Sequence, residues 1–319
     1  MRSRLVMILA VALAAAAVAV TGVRFARSSP QPRVAVHAPL APKLASYLGV
    51  FEPGAPPAYG AIARFTQVAG RQPNLLGYYS GWAEPFDTQF AEMIRKHGII
   101  PFVQIDPTDA SVAAVAAGTY DDYLRSYADN VQDYGHAVVI GFGHEMNARW
   151  YSWGYGHVPA STFVAAWRHI VTLFHQEGAD NVTWLWTIQA DGTGTGPIAS
   201  WWPGTQFVTW VGIDGYYYHS SDTFTSVFGK TINQVRTFTS QPVLLSETAV
   251  SNAADPFVNI GNLFKGMASY KTLGLVWFDK DQHAEVEHQD WRIEDNPYAA
   301  ASFQLGVSTD LAPTLPTGG

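Results

Sequence analysis

The chain has 319 residues, 48% of them hydrophobic, a formal net charge of −7 and no cysteine. That length carries one large core, and an α/β barrel of roughly 250 residues runs as a single domain. The lack of cysteine excludes disulfides, thiolate metal sites and a lipidated cysteine, and an acidic body without a Lys/Arg cluster lacks the footprint of a nucleic-acid binder.

The N-terminus has an export pattern. Met1–Arg4 is basic, Leu5–Val23 is apolar or neutral, and Arg24–Arg27 restores charge. Residues 1–27 therefore read as a signal peptide or, since the apolar stretch is near the lower limit for a membrane span, as a retained anchor. Either fate places the protein outside the cell or at its surface. Residues 28–44, rich in Pro, Ala and Ser, read as a flexible spacer.

Short apolar runs then recur. They are Tyr47–Phe51, Leu75–Tyr79, Ile99–Ile105, Val138–Phe142, Val182–Trp186, Trp210–Ile213, Val243–Ser246 and Leu275–Phe278. Each is nearly continuous in hydrophobicity, as a strand buried on both faces reads. Helical patterns lie between most of them. Tyr120, Tyr123, Leu124, Tyr127 and Val131 share one face, as do Phe163, Trp167, Ile170, Val171 and Phe174, and Phe257, Ile260, Leu263, Phe264 and Met267. Asp87, Ser161 and Thr223 stand where N-caps are expected. A last helix covers about Pro297 to Gln304, and residues 307–319 read as a disordered tail. Gly192–Gly204 supports at most a short helix.

Eight buried strands alternating with helices argue for a parallel sheet, and eight is the number that closes a barrel. The expected fold is a single (β/α)8 TIM barrel over residues 45–306. An open doubly wound sheet is the rival, but no glycine-rich phosphate turn follows the first strand, where Phe51-Glu52-Pro53-Gly54 stands.

Barrel active sites gather at the C-terminal strand ends. There the sequence offers Trp82 after strand 2, Asp106 after strand 3, His144-Glu145-Met146-Asn147 after strand 4, Gln189 after strand 5, Asp214 and Tyr216–Tyr218 after strand 6, Glu247 at strand 7, and Trp277, Asp279 and Lys280 at strand 8. Two carboxylates facing one cavity suit glycosidic cleavage: one protonates the leaving oxygen and the other assists at the anomeric carbon. Glu145, among aromatics and His144, is expected to hold its proton; Glu247, with Ser246 and the tyrosines nearby, is expected to be ionised. A zinc-protease reading fails because the required second histidine is replaced by Ala148. Ser246 lies in no nucleophile elbow. The stretch His283–His288 reads as a polar loop rather than a metal site.

The run His144-Glu145-Met146-Asn147-Ala148-Arg149-Trp150-Tyr151-Ser152-Trp153-Gly154 resembles the signature of glycoside hydrolase family 26. The likeness continues through Trp202-Pro203-Gly204, Val211–Tyr216, Ser246-Glu247, Val276-Trp277-Phe278 and Asp290-Trp291-Arg292, covering roughly residues 45–305. It implies a retaining hydrolase of β-mannan type, with Glu145 as acid/base and Glu247 as nucleophile. It also implies that His144 contacts the sugar or orients the pair, Trp150 bounds the cleft, Tyr216 bonds the nucleophile and Trp277 is the sugar platform. Asn147 and Trp82 join the expected substrate-binding set. Ala148, Gly141 and Gln189 depart from the family pattern, where Gly, Arg and Asn are usual. β-1,3-Xylan and mixed-linkage β-glucan remain open as substrates, and a non-catalytic carbohydrate-binding barrel is the second class. Neither reading calls for a metal or organic cofactor; the partner is a polysaccharide, and the oligomeric state is left open.

Overall fold

The computed structural model describes residues 38–282, 284 and 288–317, so the expected signal or anchor at residues 1–27 and most of the expected spacer lie outside the described residues. Among the described residues no helix is long and apolar enough to cross a membrane.

Eight strands close a barrel in chain order: β1 Tyr47–Phe51, β2 Leu75–Gly81, β3 Ile100–Asp106, β4 Val138–Phe142, β5 Val182–Gln189, β6 Trp210–Tyr217, β7 Val243–Val250 and β8 Gly274–Phe278. Every neighbouring pair is parallel, and β1 closes on β8 with Phe51 opposite Phe278. The helices are α1 Gly60–Ala69, α2 Thr88–Arg95, α3 Val112–Ala116, α4 Asp121–Tyr134, α5 Ala160–Glu177, α6 Lys230–Val235, α7 Pro256–Tyr270 and α8 Pro297–Thr309. Between β5 and β6 only two short 3-10 turns occur, as the Gly/Pro-rich composition predicts. The Asp87 carboxylate caps α2 by accepting from Phe90 N. Ser161 caps nothing, because α5 begins one residue earlier, after Pro159.

Strands β5, β6 and β7 run three to four residues further than their apolar cores. Each extension brings one polar side chain to a cavity, Gln189, Tyr216 and Glu247 respectively. Below it the barrel interior is packed by Tyr47, Leu75, Ile100, Phe102, Val139, Leu185, Trp210, Leu244 and Val276. The alternate residues of the same strands face the helices. Trp184, Trp186, Trp201 and Trp202 all belong to that outer layer.

Both predicted flexible ends are partly tied down. Leu40 packs on the interior cluster and its N–H donates to Thr183 Oγ1 at 2.8 Å. The expected tail is ordered where it is described: residues 307–309 belong to α8, Leu311 is buried, and the carbonyls of Ala312 and Pro316 accept from Arg71 and Asn74.

Gly274 opens β8 at φ 153, and a Cβ there would overlap the backbone carbonyl of Tyr47 on β1. No side-chain rotation relieves a clash with backbone. Gly274→Ala is expected to destabilise the barrel by about 3 kcal/mol, read from urea denaturation. An unchanged midpoint would contradict this account of the β1–β8 seam.

Candidate active site

A cavity of about 940 Å³ opens above the polar layer, lined among others by Phe51, Tyr79, Asp106, His144, Glu145, Trp150, Tyr151, Tyr216, Glu247, Phe278, Lys280 and Trp291. Glu145 and Glu247 thus share one wall-to-wall space, although 102 positions separate them in sequence.

Glu145 sits beyond β4, not in it. Its φ is 52, a left-handed conformation that costs a non-glycine residue on the order of 1 kcal/mol. The conformation is held from both sides: Glu145 N donates to Thr187 O at 3.0 Å, and Glu145 O accepts from Ala148 N at 2.8 Å. The rest of the motif latches onto the β5–β6 loop. Arg149 N donates to Gly194 O, Gly196 N to Asn147 O, and Tyr155 N closes the turn on Met146 O. The side chain of Trp150 donates its indole N–H to Glu145 Oε2 at 2.5 Å.

Glu247 reaches the cavity through a register shift between Leu245 and Thr248 on the β7–β8 pair. Such a bulge places two residues against one and re-aims a side chain. Ser246 and Glu247 consequently both turn inward: Ser246 Oγ donates to Asp214 Oδ1 at 2.5 Å, and Glu247 lines the cavity. Tyr216 donates its hydroxyl to Glu247 Oε2 at 2.5 Å. Burial and the carboxylates Asp214 and Glu145 push the Tyr216 phenol well up, so it remains a donor. Burial also pushes the Glu247 carboxyl up, to about 8, against the opposing pull of the Lys280 ammonium. The expectation that Glu247 lies where its ionised form is favoured is therefore corrected. The tyrosine contact is present, but loss of water outweighs it.

His144 donates to Asp106 Oδ1 through Nδ1 at 2.9 Å and meets the Tyr151 hydroxyl through Nε2 at 3.0 Å. Burial lowers its pKa, but Asp106 and then Glu145 and Asp214 outweigh it and raise the group to about 9. Both ring nitrogens are thus engaged, one by Asp106 and one by Tyr151.

Three expected substrate contacts are placed elsewhere. Asn147 is fully buried, and both ends of its amide are spent on the backbone of Gln189, at 2.9 and 2.8 Å; it clamps the motif to β5. Trp277 is 1% exposed, faces outward against Phe303 of α8 and donates to Trp291 O. Trp82 does not line the cavity; it packs on Tyr120, Tyr123 and Phe142. The aromatic wall is instead built by Phe51 stacked on Phe278 at 4.8 Å, Tyr216 against Trp291 at 4.9 Å, and Tyr151 stacked on Trp153 at 4.4 Å. Phe278, Tyr151 and Trp291 were missed as site residues. Trp291 lies in the loop before α8, and its signals were its aromatic character and its place in the Asp290-Trp291-Arg292 stretch of the resemblance. Gly141 has its own explanation: the Gln104 side chain fills the space a Cβ would take and donates to Thr187 Oγ1 at 2.8 Å.

Comparisons with known proteins bear on the family and the fold. The sequence model described as glycosyl hydrolase family 26 matches residues 108–285. Endoglucanase H of Acetivibrio thermocellus is 26% identical over 273 residues, which is 80% of this chain and 29% of that protein. Beta-1,3-xylanase TXYA of a Vibrio species is 25% identical over 107 residues, 33% of this chain and 22% of that one. The chain thus spans less than a third of the length of either relative. A solved mannanase of Bacillus subtilis superposes with a TM-score of 0.65 at 17% identity, covering 87% of this chain and 88% of that one. At that identity the likeness speaks for the shared barrel fold.

Proposed function

Because the chain belongs to glycosyl hydrolase family 26, we propose that it is a retaining glycosidase that cleaves a neutral β-linked polysaccharide, mannan foremost. The observation that carries the proposal is the pairing of Glu145 and Glu247 in one aromatic-walled cavity, each accepting a hydrogen bond from an aromatic side chain, Trp150 and Tyr216.

In the first step a Glu247 oxygen forms a bond to the anomeric carbon while the glycosidic C–O bond breaks. The departing oxygen takes the proton of Glu145. In the second step Glu145 takes a proton from water, whose oxygen attacks the anomeric carbon and releases the Glu247 carboxylate. Double displacement returns the original anomeric configuration. Trp150 steadies Glu145 across its change of charge, and Tyr216 steadies Glu247. Trp291 and Phe278 offer apolar faces to the sugar ring. The mannan reading draws on the mannanase whose barrel superposes; the endoglucanase and the β-1,3-xylanase support glucan and xylan as the alternatives. The leader at residues 1–27 suits delivery to glycans outside the cell.

The test is release of new reducing ends from mannan, glucomannan, β-1,3-xylan and mixed-linkage β-glucan. NMR of the first-formed anomer then reads the stereochemistry. Release from one glycan with the β-anomer first supports the proposal. Binding of glycan without any release would assign the carbohydrate-binding class instead, and the α-anomer first would assign inversion.

The pH profile carries a second expectation. The attacking Glu247 must be deprotonated, so kcat/KM rises with pH through its free-enzyme pKa, placed by burial at about 8. Lys280 lowers that pKa. Removing the positive charge disfavours the carboxylate, so Lys280→Met moves the acid limb to higher pH. An unmoved limb would show that Lys280 does not act on Glu247.

A further inference from the structure

The barrel seam between β1 and β8 carries a second acidic centre. Glu52 follows Phe51 at the end of β1, Asp279 follows Phe278 at the end of β8, and Glu294 comes from the loop before α8. One carboxylate oxygen from each lies within 4.8 Å of those of the other two. Glu52 and Asp279 are 6% and 1% exposed. Asp279 Oδ1 accepts from Ile293 N at 3.0 Å, but Asp279 Oδ2 is buried with no hydrogen-bond donor, and so is Glu294 Oε2. While all three are ionised they cannot satisfy one another, because an ionised carboxylate only accepts. Burial and mutual repulsion raise both Glu52 and Asp279. The nearby Arg292 is engaged with Asp281, Asp290 and Asp295.

We propose that Glu52, Asp279 and Glu294 bind a divalent cation of the Ca²⁺ class, which pins the β8–α8 loop to the barrel rim. Oxygen donors alone, several of them carboxylates and one on a loop, match a hard cation with adaptable coordination better than one demanding a rigid octahedron. The cation supplies the counter-charge that the buried oxygens lack. The loop it pins presents Lys280, Gln282 and Trp291 to the cavity, with Trp291 N donating to Lys280 O at 3.0 Å. The site is thus structural, acting through the wall of the cleft. The three residues are distant in sequence and show no cation-loop spacing; barrel closure alone assembles them, which is why the sequence offered no metal ligands.

The experiment strips the purified protein with EDTA and titrates it with CaCl₂ at pH 7.5, by calorimetry and by thermal melting. The expected result is saturable one-to-one binding. At a hundredfold excess over Kd the melting temperature rises by about 5 °C or more. MgCl₂ gives less, and Asp279→Asn and Glu52→Gln no longer respond to Ca²⁺. Glu247→Ala keeps the response, which separates this site from the catalytic reading. Absence of binding heat together with identical melting in EDTA and Ca²⁺ overturns the proposal. So does an equal shift from NaCl at matched ionic strength, or a Ca²⁺ shift retained in both folded variants. If neither variant folds, the wild-type titration decides. No Ca²⁺ response combined with a gain in stability from pH 8 to pH 6 overturns it in favour of shared protons. Carboxyls with raised pKa values stabilise below those values and lose that contribution as pH rises through them.

Discussion

Glu247→Ala is expected to lose at least about 10⁴-fold in kcat on the glycan the wild type cleaves, while still binding it. That factor corresponds to about 5.5 kcal/mol of transition-state stabilisation. The effect is large because, among the described residues, the other groups near Glu247 are engaged elsewhere, Asp106 of the cavity wall with His144. Tyr216 stays protonated well above neutrality, and Asp214 lies one layer lower with its carboxyl bonded to Ser246. The binding half of the prediction rests on the aromatic wall, which the substitution leaves intact. Kinetics paired with calorimetry on an oligosaccharide checks both halves. Turnover within tenfold of wild type would remove Glu247 from the chemistry.

Glu145→Ala is expected to behave differently, and the difference identifies its role. On the natural glycan, whose leaving oxygen needs a proton, the loss is about 10³- to 10⁴-fold. On an aryl glycoside with an acidic phenol as leaving group, bond cleavage needs no protonation. Formation of the glycosyl-enzyme then stays fast, and its hydrolysis becomes the slow step because the base for water is gone. Stopped-flow kinetics should show a burst of phenol followed by slow turnover. The same loss on both substrates, with no burst, would contradict the acid/base assignment. Trp150 offers a graded control: its indole N–H is bonded to Glu145 Oε2, and its ring is 48% exposed, so Trp150→Phe removes that hydrogen bond with little cost to folding.

Much of the barrel was legible because the sequence alternates two periods. Continuous apolar runs such as Val138–Phe142 suit a strand covered on both faces, and the one-sided pattern of Phe163, Trp167, Ile170 and Phe174 suits a helix lying on a sheet. The motif around Glu145 was legible because its small and polar residues are backbone devices. Asn147 clamps Gln189 of β5, and a Cβ on Gly154 would collide with the carbonyl of Ala148. Such devices leave little freedom in residue type, so the string itself marks the site.

The facing of side chains was not legible, for the same reason that the strands were. A strand buried on both faces carries no alternation, so nothing in Leu275-Val276-Trp277-Phe278 says which residues look inward. The register places Val276 inside and Trp277 against α8, and so puts Phe278 and, from the following loop, Trp291 at the cavity. Glu247 depended on a bulge, which shifts parity by one residue without any composition of its own. Its raised pKa, and the meeting of Glu52, Asp279 and Glu294, arise from burial at the closed seam. The sequence by itself determined the elements and their order and brought Glu145 and Glu247 forward as candidates, because these follow from local periodicity and from a short motif. Only the tertiary structure decided which faces meet and how far each charge is removed from water, because both depend on contacts between residues far apart in the chain.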